Sequence, residues 1–245
     1  MPAGFFILYD RIIEMFILAL LFGLLPGFAW LVFYLTEDPH PEPKRMILLT
    51  FVAGIAFGFF TIVIETLWSG AITGMGLATF SILSLLVLAF IEEIMKFGAA
   101  YFAVGKSPLL NEPVEHMLYM IVAAMGFATL ENIGAIANIP TSGAFIGSFF
   151  ATASFRFVGA TLLHALTSGI VGYHWALGIA RKKVLKNLTI GFVLAASLHA
   201  FFNYLILTYG EIAYAVVLLV IVGFFVLNDF EKLKAEEAAP TIVSG

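Results

Sequence analysis

Seven long apolar runs dominate this sequence, and they restrict the chain to one class of fold. They cover residues 12–35, 46–68, 77–104, 117–139, 152–180, 188–209 and 212–227. About 20 predominantly apolar residues are enough for one helical crossing of a bilayer. Hydrophobic residues make up 62% of the chain and charged residues only 11%, far from the composition of soluble domains. We therefore predict an all-α, polytopic bundle of about seven transmembrane helices.

The loops between these runs alternate in charge, and this alternation predicts the orientation. Lysine and arginine follow the first, third, fifth and seventh runs, whereas the other three loops contain neither. Positive residues favour the cytoplasmic side of a membrane. We therefore predict an outside N-terminus and an inside C-terminus. Residues 1–230 would form the membrane-embedded bundle, and residues 231–245 a polar cytoplasmic tail.

Composition also excludes several functions. The net charge is only -4, with no basic face that would suit nucleic acid. The chain has no cysteine, which excludes disulfides, thiolate metal sites and cysteine nucleophiles. Gly54 and Gly58 form a weak helix-packing motif, and the sequence alone leaves the oligomeric state open.

Polar residues interrupt four consecutive apolar runs at a similar depth. With a rise of about 1.5 Å per residue, they fall roughly 17–24 Å from the predicted cytoplasmic helix ends. They are Glu92 and Glu93 in the third run, Glu131 in the fourth, His164 in the fifth, and His199 and Asn203 in the sixth. An intramembrane charge costs about 2.5–3.5 kcal/mol on insertion scales. Clustering lowers this cost, so we predict a shared polar pocket inside the bundle.

The spacing of the charges within the third run adds detail to this pocket. Glu92 and Lys96 are four residues apart and therefore share one helix face. Lys96 can neutralise one glutamate and leave the other free. Glu65 and Arg156 fall toward the outer ends of their helices, where we expect an ion pair between them or snorkelling to the interface.

The ordered set of polar motifs resembles the PrsW family of intramembrane proteases. The matching motifs are E-E-x-x-K from Glu92, F-x-x-x-E from Phe127, the histidine of "LLHA" and H-x-x-x-N from His199. The resemblance covers roughly residues 80–205. That family is related to the CAAX prenyl endopeptidases and the ABI family, but Glu131 stands where the CAAX enzymes have histidine. Their mechanism therefore does not carry over unchanged.

The resemblance implies hydrolysis of a peptide bond within or near a prokaryotic cell membrane. It also implies a membrane protein substrate, of the kind represented by single-span anti-sigma factors. The lipid bilayer is the other expected partner, and nucleic acid is not expected.

Two hydrolytic chemistries suit the same residues. In the first, Glu131, His164 and His199 bind zinc, and Glu92 or Glu93 acts as general base on a bound water. In the second, no metal takes part, and a desolvated glutamate is the general base. His164 would then orient the water, and His199 with Asn203 would stabilise the oxyanion. We favour zinc, and the choice between the two glutamates stays open.

Two other functions are compatible with part of this pattern. A proton- or cation-coupled transporter would also use buried Glu, His and Lys residues, but the sequence shows no inverted repeat. A serine hydrolase could use Ser168, four residues after His164, but no nucleophile elbow or acid partner accompanies it.

Overall fold

The protein is a bundle of long helices. The computed structural model describes residues 3–140 and 145–238, and no β-strand occurs within these two ranges. In chain order the helices are α1 (Ala3–Leu35), α2 (Lys44–Gly74), α3 (Ile82–Val104), α4 (Pro113–Ala137), α5 (Phe145–Phe155), α6 (Thr161–Ala180), α7 (Val184–Tyr209) and α8 (Ile212–Ala238). A π-helical segment, Arg156–Ala160, joins α5 to α6. The predicted all-α class is confirmed.

Six stretches of these helices are long and apolar enough to cross a membrane. They are Met15–Leu35, Lys44–Gly74, Pro113–Ala137, Gly147–Ala180, Val184–Tyr209 and Ile212–Glu236. α3 has 23 residues and is also long enough, but it carries three charged residues near its middle. The seven predicted runs therefore correspond to six apolar spans and one helix whose charges need protein partners. The orientation of the bundle remains a prediction.

Several helix boundaries differ from the predicted ones. α3 begins at Ile82 and not at residue 77, because Ser81 caps it: the Ser81 hydroxyl accepts a hydrogen bond from Ser84 N at 3.3 Å. α8 continues past residue 227 to Ala238, with Leu233 buried and Lys234 Nζ 2.9 Å from a Glu37 oxygen. The last residues of the predicted cytoplasmic tail, 239–245, lie outside the described residues.

α4 is the central helix of the bundle. It packs against α1, α2 and α6, and every side chain from Val114 to Thr129 is buried. Small residues allow this close packing. A Cβ atom on Gly126 would lie 1.9 Å from the Phe51 carbonyl oxygen of α2, and one on Gly54 would lie 2.0 Å from the Ala123 oxygen. The Gly54 motif therefore serves a contact between α2 and α4 within one chain.

Alanine side chains bring α3 and α7 together in the same way. Ala89 of α3 and Ala196 and Ala200 of α7 belong to one buried cluster, against which Tyr204 packs. α7 also packs along α6, which in turn packs on α4. As a result, the polar middle sections of α3, α4, α6 and α7 lie side by side.

The α2–α4 contact predicts a large effect of a single added methyl group. Gly126→Ala should lower the free energy of unfolding by about 1–3 kcal/mol, because the new Cβ overlaps backbone atoms of α2. Gly134→Ala is the control on the same helix, since no atom of another helix lies within 4 Å of the position its Cβ would take. That change should be neutral or slightly stabilising. Unfolding in detergent micelles measures both, and equal stabilities would contradict a close backbone contact at Gly126.

Candidate active site

The predicted pocket residues meet in one connected network. Glu92, Glu93 and Lys96 come from α3, and the other members come from three further helices: Glu131 from α4, His164 from α6 and His199 from α7. Each of these six side chains has a nitrogen or oxygen atom within 3.8 Å of an oppositely polar atom, oxygen or nitrogen, of another member. Asn203 is the exception, since it lies in the wall of a neighbouring cavity and not within this set of contacts.

Lys96 lies at the centre of this network. Its Nζ atom donates to Glu93 Oε1 at 2.7 Å and lies 2.8 Å from His164 Nδ1 and 3.5 Å from Glu92 Oε2. The side chains of Lys96 and Glu93 are completely buried. Positions three and four residues apart share a helix face, which allows one ammonium to reach both glutamates of α3. Three donors on one ammonium then connect α3 to α6.

Each histidine is held by a carboxylate through one ring nitrogen. His164 Nε2 lies 3.1 Å from Glu131 Oε2, and His199 Nδ1 lies 2.9 Å from Glu93 Oε1. A proton on each of these nitrogens would leave the lone pair of the other nitrogen free. That arrangement also suits the contact between Lys96 and His164 Nδ1, because an ammonium can only donate.

The other ring nitrogens approach the remaining glutamate. His164 Nδ1 is 3.8 Å and His199 Nε2 is 3.7 Å from Glu92 Oε2. Ligand atoms from these three residues all lie within 4.8 Å of one another. Glu92 Oε2 is buried, and it takes part in no hydrogen bond with the residues that the structure describes. Two imidazole nitrogens and one carboxylate oxygen therefore converge on a single point.

This convergence differs from the ligand set expected from the sequence. Glu131 approaches His164 from its Nε2 side, whereas Glu92 faces its Nδ1 nitrogen. A metal ion held by Glu92, His164 and His199 would compete with Lys96 for His164 Nδ1. Lys96 would keep its contact with Glu93 in that case. The donor set fits zinc, and the backing carboxylates are those that usually orient metal-binding histidines.

Arg156 belongs to the network, although the sequence did not indicate it. Arg156 Nη2 donates to Glu131 Oε2 at 2.8 Å, and Arg156 Nε donates to the Asn132 side-chain oxygen. The expected ion pair between Arg156 and Glu65 is therefore wrong. Arg156 begins the π-helical segment, and single π-turns frequently occur at functional sites. In the sequence, this contact was indicated only by the adjacent pair Glu131–Asn132, whose side-chain oxygens can both accept from one guanidinium group.

A cavity of about 350 Å³ borders the network on one side. Its polar lining comes from Glu65, Ser69, Glu92, Arg156 and Asn203, and aromatic and aliphatic side chains complete the wall. Glu92 reaches this cavity, whereas Glu93 and Lys96 are sealed behind it. The cavity extends toward the end of the bundle that carries the α2–α3 and α7–α8 connections. A molecule bound in this cavity would therefore contact Glu92, and it would not reach Glu93 or Lys96.

Ser168 is not placed for nucleophilic attack. It lies on α6 at full burial, and it is not among the residues that line this cavity. The serine route suggested by the sequence thus receives no support.

Comparison with known proteins gives a consistent result. A family model described as "PrsW family intramembrane metalloprotease" matches residues 42–228. Protease PrsW of Bacillus subtilis (strain 168) is 27% identical over 219 residues, which cover 87% of this chain and 94% of the relative. Protease PrsW of Geobacillus kaustophilus (strain HTA426) is 29% identical over 189 residues, covering 76% of this chain and 78% of the relative. No solved structure matches the chain.

The burial of Lys96 predicts a large stability effect. Lys96→Met should lower the free energy of unfolding by about 3–5 kcal/mol, because it leaves Glu93 charged and buried without its cation. Lys234→Met is the matched control, since Lys234 pairs with Glu37 at a partly exposed position. Its cost should be about 0–1 kcal/mol. Similar losses for both variants in micelle unfolding experiments would show that the Lys96 contacts are not a buried ion pair.

Proposed function

The chain belongs to the PrsW family of intramembrane proteases, and from this premise we propose how its site cleaves a peptide bond. It is a multi-pass integral membrane protein of a prokaryotic cell membrane, and its substrate is a membrane protein. Our proposal is a zinc-dependent endopeptidase that acts on a single-span protein of the anti-sigma-factor type. Glu92, His164 and His199 would hold the metal ion.

The observation that carries this proposal is the convergence of three ligand atoms. Glu92 Oε2 is buried without a hydrogen bond from the described residues, at 3.7 Å from His199 Nε2 and 3.8 Å from His164 Nδ1. Zinc sites commonly use two histidines and one glutamate and keep one position open. When bound, the ion would supply Lewis-acid polarisation of the carbonyl and a water of lowered pKa.

The surrounding side chains would keep the two histidines in position. Glu93 fixes His199 through Nδ1, and Glu131 fixes His164 through Nε2. Arg156 holds Glu131 in turn. In this assignment Glu131 and Glu93 are positioning residues, and Glu92 is the carboxylate that lines the cavity in which the substrate would bind. Partners of this kind raise the basicity of the ligand and fix its tautomer.

Asn203 would bind the scissile carbonyl. It lies one helical turn after His199, and its side chain lines the cavity next to Glu92. An amide donor near a developing oxyanion lowers the barrier to acyl transfer. The apolar walls from Phe80, Leu85 and Leu88 would accommodate the hydrophobic flank of a membrane-spanning substrate. The end toward which the cavity extends is the predicted outer end of the bundle.

One observation favours a second, metal-free candidate. Lys96 already places a cation 2.8 Å from His164 Nδ1 and 3.5 Å from Glu92 Oε2. This ammonium would supply positive charge at the position proposed for the ion. Glu92 would then accept the proton from the attacking water and return it to the leaving amine. His199 and Asn203 would stabilise the oxyanion.

Removal of the Glu92 charge tests the site itself. Glu92→Gln should lower the cleavage rate at least about 100-fold, because a ligand or a general base is lost in either candidate. Glu211→Gln, an exposed position in the α7–α8 connection, should leave the rate unchanged. The assay follows fragments of a panel of single-span membrane proteins tagged at both ends. Undiminished cleavage by Glu92→Gln would remove Glu92 from the mechanism.

Elemental analysis of the same preparations separates the two candidates. The zinc enzyme should contain about one zinc per chain in the wild type and much less in His199→Ala. Chelation should abolish cleavage, and added zinc should restore it. Full activity of metal-free protein would instead establish the mechanism based on Glu92 and Lys96.

The positioning role of Glu131 makes a separate prediction. Glu131→Gln keeps the size of the side chain but loses the charge that orients His164, so kcat should fall about 10–100-fold. KM should change little, because Glu131 is not among the residues that line the cavity. Steady-state kinetics of Glu131→Gln measure this. A change confined to KM would place Glu131 in substrate binding.

A further inference from the structure

Glu65 is an acidic residue in the cavity wall that forms no hydrogen bond or ion pair with the described part of the network. It lies on α2, with Ser69 one turn further along the same wall, and its side chain is only partly buried. Within residues 3–140 and 145–238, Glu65 forms neither a hydrogen bond nor an ion pair. None of the motifs of the catalytic network contains it.

The other two charged residues of the cavity wall each form an ion pair. Glu92 lies 3.5 Å from the ammonium of Lys96, and Arg156 donates to Glu131 at 2.8 Å. Arg156 also donates to Asn132, which uses a further part of its guanidinium. Arg156 therefore already has its ion-pair partner, while Glu65 lines the cavity without a close ion pair to any of the described residues.

An unpaired carboxylate at this depth has a physical cost. Glu65 lies nine residues before the end of α2 at Gly74, or about 14 Å along the helix axis. Charges inside a membrane span pair with one another or mark a ligand pathway. The attraction between opposite charges is also stronger there than in bulk water. A cation that enters the cavity would therefore be stabilised by contact with Glu65.

We propose that Glu65 forms a subsite that binds a lysine or arginine side chain of the polypeptide substrate; this rests on the proposed protease function. The charged head of that side chain would pair with Glu65, with the Ser69 hydroxyl beside it. Its aliphatic stem would lie along Phe80 and Leu85, which line the same cavity. Glu65 would thus select membrane proteins with a basic residue close to the cleaved bond.

Peptide binding tests this subsite without any need for cleavage. The probe is a leucine–alanine transmembrane peptide of about 23 residues, with one lysine about 14 Å from one end of its apolar stretch. Matched peptides carry glutamine or glutamate at that position, and further peptides shift the residue by one turn each way. Nanodiscs of phosphatidylcholine contain no primary-amine lipid that could compete. Because the chain has no cysteine, Ser244→Cys provides a unique dye position for energy transfer to a labelled peptide.

The wild type should bind the best lysine peptide about tenfold more tightly than its glutamine counterpart, as expected for a partly desolvated charge pair. Glu65→Gln, which keeps the size of the side chain, should abolish this preference. Glu65→Lys should transfer it to the glutamate peptide. The control Glu211→Gln should retain the wild-type preference, because Glu211 lies outside the cavity lining.

Two results would overturn the subsite: equal wild-type affinities for lysine and glutamine peptides at every position, or an unchanged preference in Glu65→Gln. Thermal unfolding of each variant confirms that it is folded. Cleavage of the same peptides is measured separately. Charge-dependent binding without cleavage would count against the proposed protease chemistry and leave the subsite intact. Cleavage without any charge preference would support the protease chemistry and contradict the subsite.

Discussion

The buried ammonium of Lys96 is the interaction on which the rest of the site depends. An ammonium in the middle of an apolar bundle is tolerated only where it finds acceptors in every direction. Lys96 finds acceptors in Glu93 and His164, and it forms a longer ion pair with Glu92. Since those acceptors lie on α3 and α6, and Glu93 also binds His199 of α7, one cation determines how three helices face one another. The network lowers the cost of placing the three charges of α3 inside a bilayer.

The network is asymmetric, and this asymmetry supports the proposed function. Glu93 and Lys96 are sealed from solvent, so their charges neutralise each other and hold the scaffold in place. Glu92 lies at the edge, with one buried oxygen that lacks a hydrogen bond from the described residues and with access to the cavity. Two adjacent glutamates therefore have different surroundings. One belongs to the support of the site, and the other is available for a metal ion, a water or a substrate.

α4 contributes in a different way. Its small residues let α2 approach within backbone contact at Gly126, and this close packing places α4 at the centre of the bundle. From that position Glu131 and Asn132 reach outward to His164 and Arg156. The π-helical segment at Arg156–Ala160 contains the arginine that holds them. The packing of small residues thus positions polar side chains between one and two turns away on the same helix.

The sequence by itself determined the class of fold and the common depth of most residues in the network, although it did not indicate Arg156. Apolar length predicts helices, and residue number converts to depth along a helix at a nearly constant rise. That conversion alone placed Glu92, Glu93, Glu131, His164 and His199 in one layer of the membrane. Depth says nothing about rotation around the helix axis or about side-chain contacts between helices.

Only the tertiary structure decided which of these side chains face one another. Glu92 and not Glu131 lies near a ring nitrogen of both histidines. Arg156 pairs with Glu131, and Glu65 lines the cavity without a hydrogen bond or close ion pair to the described residues. Those contacts depend on how closely α2, α4, α6 and α7 pack against one another. The sequence of one helix taken alone does not determine that packing.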